Sequence, residues 1–144
     1  VIVLYDADCG FCRWAAAWAL RLDHRSVLVA APIQSSLGSE LLVDLAPGDR
    51  LAAAHVVGED GCRQSGGAAA AEVLGAIDRT RLLARLARSS PRTTDRLYAA
   101  VAKRRISLGR FVGRQARRRA DRLLDAARVT TAAELKVRSQ RSPT

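Results

Sequence analysis

Val1-Ile2-Val3-Leu4-Tyr5-Asp6-Ala7-Asp8-Cys9-Gly10-Phe11-Cys12 opens the chain, and the reading of this stretch decides the fold. Its first five residues form a continuous apolar run led by β-branched side chains, which reads as a buried strand. Asp6-Ala7-Asp8 ends the run, and the Cys9-Gly10 step leads into a helix expected over residues 11–22. There Trp14, Trp18 and Leu22 recur at four-residue spacing with Ala15 and Ala19 beside them, so one apolar face is predicted.

Outward from this stretch, residues 23–26 break the helix and residues 27–31 read as a second short strand closed by Pro32. A short helix is expected over 38–45, stopped by Pro47-Gly48. A third strand follows over 52–57. Gly58-Glu59-Asp60-Gly61 is a hairpin turn, because Asp-Gly supplies the positive φ such turns need. Residues 62–65 return as a fourth strand, and helices are expected over 68–77 and 81–87. After the Ser89-Ser90-Pro91 break, another helix is expected over 94–102 with Thr94 or Asp95 as its cap. Residues 111–127 are helical by composition. The order is β-α-β-α-β-β-α. A helix between the first two strands makes them parallel through a right-handed crossover, and the last two form an antiparallel hairpin. This α/β order matches the thioredoxin fold.

The chain has 144 residues, of which 49% are hydrophobic but only 4% aromatic, so one domain is expected with a core of Ala, Leu and Val. No eighteen-residue apolar stretch exists, which excludes a transmembrane helix. Three cysteines are too few, and odd in number, for a disulfide-stapled scaffold. The chain has no Met and strand character from Val1, so native residues or a signal peptide are expected to precede it. Charge divides the chain. Residues 1–102 carry 11 basic and 11 acidic side chains, whereas residues 103–144 carry 13 and 3, so the whole net charge of +10 lies in the second part. The expected organisation is therefore a thioredoxin-like domain over 1–102 and a basic, helical extension over 103–144. A basic extension points to an anionic partner: nucleic acid, an acidic membrane surface or an acidic protein. The competing reading is a solvated helix in a chain that uses 22 Arg against 2 Lys throughout. No aromatic follows Phe111, so the extension offers no stacking platform for single-stranded nucleic acid.

Cys9-Gly10-Phe11-Cys12 carries the chemistry. A C-x-x-C pair where a strand hands over to a helix is a redox arrangement. Cys9 falls at the helix cap, where unpaired N–H groups and the helix dipole favour a thiolate. Cys12 lies one turn on, close enough to close a small disulfide ring. The Cys9 thiolate would attack a substrate disulfide and Cys12 would resolve the mixed disulfide. Asp6 ends the strand three residues earlier. A partly buried carboxyl group has a raised pKa, which suits a proton carrier for Cys12. The competing role for Asp6 or Asp8 is to cap the helix.

The segment from Leu4 to Cys12 resembles the DCC family of thiol–disulfide oxidoreductase-like proteins, named for an Asp-x-x-Cys-x-x-Cys motif; Asp6, Cys9 and Cys12 match its positions. Ile33-Gln34-Ser35 resembles the family's Gln-containing segment, and Asp60-Gly61 with Gly66 to Ala70 its hairpin and helix entry. Tyr98, Val101-Ala102, Arg104 or Arg105, and Gly109 resemble its C-terminal pattern. The resemblance implies a thioredoxin-like fold and dithiol chemistry, without a defined substrate. Thioredoxins also place a proline before the third strand, beside the disulfide; here Arg50-Leu51-Ala52-Ala53-Ala54 contains none.

Other residues have blander readings. Cys62 is expected to be a small buried hydrophobe, His55 a core or half-buried histidine, His24 solvated, and Trp14 and Trp18 core packing. A Cys3His zinc site from Cys9, Cys12, Cys62 and a histidine lacks a second closely spaced ligand pair. Asp6-x-Asp8 after a strand also resembles the haloacid-dehalogenase phosphotransferases, but supporting lysines and a later acidic pair are missing. The reading is thus a thiol–disulfide oxidoreductase with Cys9 as nucleophile, Cys12 as resolving thiol and Asp6 as proton carrier or orienting group. It needs no cofactor beyond an external thiol reductant, and its partner is a protein or small-molecule thiol or disulfide. A cytoplasmic location is the default, since no signal segment is visible. The alternative is a non-catalytic binding module, with the C-x-x-C as a zinc or redox-sensing clip and the basic extension for an anionic partner.

Overall fold

The computed structural model describes residues 1–141, with side chains through Val137. Strand β1 (Ile2–Tyr5) leads into helix α1 (Gly10–Leu22), and β2 (Val29–Pro32) follows. Two short helices, α2 (Ser36–Leu41) and α3 (Pro47–Ala52), precede the hairpin β3 (His55–Val57) and β4 (Arg63–Ser65). Then come α4 (Gly67–Ala76), α5 (Arg81–Ser89), α6 (Pro91–Phe111), α7 (Arg114–Ala127) and α8 (Ala132–Arg141). The sheet order is β2-β1-β3-β4, with β1 parallel to β2 and the other neighbours antiparallel. This is the thioredoxin-like α/β arrangement, with a helical C-terminal part.

The apolar run of β1 is explained by burial on both faces. Ile2 and Leu4 pack with Ala31, Ile33, Leu37, Leu42 and Val57 on one side. Val3 packs with Ala19, Leu28, Val56, Ala69 and Ile77 on the other. The alternation follows from the two-residue period of a strand. Tyr5 shares a third cluster with Ala16, Ala17, Ala30, Ala120 and Leu124, which joins α1, β2 and α7. Full burial of Leu124 there contributes about 1.5–3 kcal/mol.

The hairpin forms as expected. Gly58 N–H donates to the Cys62 carbonyl at 3.0 Å, Gly61 N–H donates to the Gly58 carbonyl at 3.2 Å, and Gly61 takes φ 76°. That is a three-residue loop ending in a left-handed glycine. Gly66 also requires positive φ, 64°, where the chain turns from β4 into α4 against the ring of Tyr98.

Several boundaries differ from the sequence reading. Pro47 begins α3 rather than stopping a helix, because proline's fixed φ suits the first helical position. Likewise Pro91 begins α6, so Ser90 holds the cap position. Thr94 instead donates to the Ala87 carbonyl at 2.9 Å and the Ser90 carbonyl at 3.2 Å. In α1 the buried residues are Ala16, Ala17 and Ala19, while Trp18 stays 47% exposed. The small side chains face the sheet because they allow α1 to approach it closely.

Helix α6 runs without a break across residue 102, and the chain beyond it returns to the core. Ala120 and Leu124 of α7 are buried against α1 and β2. Val129 is buried with Leu4 and Leu37, and its N–H donates to the Ala30 carbonyl at 2.8 Å beside β2. The Thr130 carbonyl accepts from Leu37 N–H at 3.0 Å and Ser36 Oγ at 2.8 Å. Helix α8 then starts on a reciprocal cap. Glu134 Oε2 accepts from Thr131 N–H at 3.2 Å, and Thr131 Oγ1 accepts from Glu134 N–H at 3.2 Å. Among the described residues, no helix is long and apolar enough to cross a membrane.

Candidate active site at the head of helix α1

The turn from β1 into α1 is built from its own residues. Cys9 N–H donates to the Asp6 carbonyl at 3.3 Å, and Asp8 N–H donates to Asp6 Oδ1 at 3.0 Å. The second bond closes an aspartate side chain onto the backbone two residues ahead, as such turns do. Cys9, not Asp6 or Asp8, caps α1. It has extended backbone angles (φ −92°, ψ 107°), and its Sγ accepts from Cys12 N–H at 3.2 Å. Cys9 and Cys12 are joined as a disulfide with Cα atoms 5.2 Å apart, within the ordinary range for such bonds.

Gln34 secures this turn from the loop after β2. Its Nε2 donates to Asp6 Oδ1 at 2.8 Å and to Asp8 Oδ2 at 3.3 Å, while its Oε1 accepts from Ala7 N–H at 3.1 Å. One side-chain amide thus uses both its donors and its acceptor on this turn. Asp6 is half-buried, and a carboxylate oxygen of Asp6 and the two Sγ atoms lie within 4.8 Å of one another. Carboxylate and two thiolates form a donor set of the kind that zinc accepts, and the site would serve that purpose only with the disulfide reduced. Cys62 and both histidines lie outside this group, so the Cys3His arrangement is not formed.

Helix α6 closes the far side. Tyr98 Oη accepts from Ala54 N–H at 2.6 Å, and Arg105 Nη1 donates to the Leu51 carbonyl at 2.8 Å. Gly109 is buried where α6 crosses the start of α1, against Phe11. Between the sheet, α1, α4 and α6 lies an apolar cavity of about 310 Å³, whose lining includes Asp6, Cys12, Phe11, Trp18 and Tyr98. The Trp14 and Phe11 rings lie 5.8 Å apart, tilted by 34°, and Trp18 borders this cavity instead of filling the core.

The other singled-out residues lie elsewhere. His55 is only 2% exposed. Its Nδ1 is 2.7 Å from Ser65 Oγ and its Nε2 is 3.1 Å from the Arg50 carbonyl. Burial holds its pKa below the ordinary 6.5, with the Arg50 carbonyl opposing. Cys62 is exposed, contrary to the expected buried position, because the hairpin tip projects beyond the core. Its thiol pKa is raised by the Asp60 side chain, through hydrogen bonding first and charge second.

The DCC1-like thiol-disulfide oxidoreductase family matches residues 3–111. The chain belongs to this family. No curated protein matches the chain, and no solved structure does. Gln34, Arg105 and Gly109, weak as separate sequence signals, lie around this turn, and Tyr98 fastens the same helix α6 to the chain before β3. Gln34 and Tyr98 appear in the sequence reading only through the resemblance. Arg110 and Arg117, which border the same turn, were not singled out, because one arginine among 22 carries no local signal.

Proposed function

We propose that this family member catalyses thiol–disulfide exchange through the Cys9–Cys12 pair. The observation that carries the reading is the position of Cys9 Sγ, at the cap of α1, accepting the N–H of Cys12 and paired with Cys12. Once reduced, Cys9 Sγ faces unpaired N–H groups of the first turn, which favour its thiolate. That thiolate attacks a substrate disulfide and expels one thiolate product. Cys12, deprotonated, then attacks the Cys9 sulfur of the mixed disulfide, releases the second product and leaves Cys9–Cys12 oxidised. Asp6 is close enough to both sulfurs to take the Cys12 proton directly or through one water, and Gln34 orients its carboxylate. An external thiol reductant returns the pair to the dithiol. Every step works in reverse, so the partner's potential sets the direction.

The experiment is a glutathione redox titration of metal-free protein, read by thiol trapping and mass spectrometry. A reversible two-electron couple between Cys9 and Cys12, in the range of roughly −270 to −120 mV, is expected. Failure to form this disulfide at any poise would overturn the reading. The Asp6, Cys9 and Cys12 donor set favours one other reading, a zinc clip in a binding module. Stoichiometric zinc on the reduced protein that blocks exchange would favour it.

A further inference from the structure

Cys9 opens onto a cleft of about 340 Å³ between the start of α1 and the last turns of α6. Asp6 and Asp8 line one side, and Arg105, Arg110 and Arg117 the other. The two carboxylates are already engaged by Gln34. The arginines meet only carbonyl groups or nothing. Arg105 donates to the Leu51 carbonyl, and Arg117 donates to the carbonyls of Val112, at 3.0 Å, and Gly109. Arg110 is exposed, and its side chain makes no hydrogen bond or ion pair among the described residues. Arg13, one turn into α1, differs: Asp121 neutralises it at 2.7 Å. Three guanidinium groups without a carboxylate partner therefore line the cleft that holds Cys9.

The same helix limits what can enter. Ala54 N–H, on the chain entering β3, is taken by Tyr98 Oη, and the Leu51 carbonyl by Arg105. An extended peptide that adds to a strand needs free main-chain partners, and this segment offers neither group. A cleft of this size suits a small molecule.

We infer that the Cys9 cleft binds a small anionic disulfide or thiol, with its carboxylates against Arg110, Arg105 and Arg117 and its sulfur at Cys9. The inference rests on the exchange reading above. In the oxidising direction the reduced chain and the small disulfide yield the Cys9–Cys12 disulfide and two small thiols, so two electrons and two protons pass to the small molecule. Arginine suits the task because its planar fork matches a carboxylate and stays charged.

The test oxidises the reduced chain with three probes: glutathione disulfide, which is anionic, hydroxyethyl disulfide, which is neutral, and cystamine, which is cationic. Each rate is divided by that of dithiothreitol with the same probe, which removes the probes' own reactivity. At low salt the normalised rate for glutathione disulfide should exceed that for cystamine by about tenfold or more, with the neutral probe between them. The gap should narrow with added salt as screening shortens the reach of the charges. Arg110→Glu should shrink the gap several-fold, whereas Arg122→Gln on the exposed face of α7 should leave it. Equal or reversed normalised rates, or a gap untouched by Arg110→Glu, would overturn the inference while the exchange reading stood. If no probe oxidises the Cys9–Cys12 pair, the exchange reading falls and takes this inference with it.

Discussion

Cys9 follows the C-terminal end of β1, whereas Cys62 lies at the tip of the β3–β4 hairpin, beside the N-terminal end of β1. Both are drawn from the same short sheet, and neither is buried. Cys9 Sγ meets the backbone N–H of Cys12 at a helix cap. Cys62 meets a carboxylate, since Asp60 Oδ1 accepts its backbone N–H at 2.9 Å and the Asp60 side chain raises its pKa. Donors stabilise a thiolate and a carboxylate opposes one, so exposure alone does not make a cysteine reactive. The glutathione titration and the charged-probe series address Cys9 directly; four further measurements address the contrast.

The largest expected effect comes from exchanging the roles. Cys9→Ser should abolish disulfide reduction and Cys62→Ser should leave it intact, in an insulin or small-disulfide turnover assay. Loss of turnover in Cys62→Ser would break the contrast. Next is Asp6→Asn, which keeps the shape of the Gln34 contact but removes the proposed proton acceptor. Resolution of the mixed disulfide should slow by about 100-fold in stopped-flow measurements, with a smaller effect on the first attack by Cys9. Equal slowing of both steps would mean that Asp6 serves the turn and not the proton.

A smaller effect is expected in alkylation. Iodoacetamide at pH 7 should modify Cys9 of the reduced protein before Cys62, as read by peptide mass spectrometry. Asp60→Asn should speed Cys62 labelling by a few-fold, because the group that opposes its thiolate is gone. The smallest effect concerns stability on the hairpin side. Buried His55 has its pKa depressed by burial, so the unfolded chain binds more protons than the folded one below about pH 6.5. Stability should be complete above that pH and decline as pH falls through it, in thermal melts at stepped pH. His55→Gln should flatten that decline. A separate loss at lower pH belongs to carboxylates such as Asp44, which Arg63 holds at about 2, with stability lost as pH falls from 3.8 towards that value.

Much of the fold was legible because its signals are local. A doubly buried strand reads as a continuous apolar run, a Gly in the left-handed region reads as Asp60-Gly61, and a helix head reads as Cys9-Gly10. Pro47 and Pro91 misled because proline both ends and begins helices, and only the chain on either side decides which. The start of α8 was also readable: Thr131-Ala132-Ala133-Glu134 has the spacing of a reciprocal cap, although the sequence reading gave only a helical extension over 103–144 without that boundary. The two tryptophans misled for a different reason. Four-residue spacing marks a face of α1 but not which face meets the sheet, and the alanine face packs more closely.

By itself the sequence determined the order of the four strands and the helix between the first two, the cysteine pair at a helix head, and an acidic residue one turn before it. Each of these depends on neighbours within a few residues, where capping, turn geometry and side-chain spacing act. Tertiary structure alone decided that α7 packs on α1 through Ala120 and Leu124, and that Val129 joins the core beside β2. It also decided that Gln34 holds Asp6 and that three arginines line the cleft beside Cys9. These features depend on contacts between residues tens of positions apart. In a chain rich in Ala and Arg and poor in aromatics, no single residue marks them, and each becomes defined only when the helices pack against the sheet.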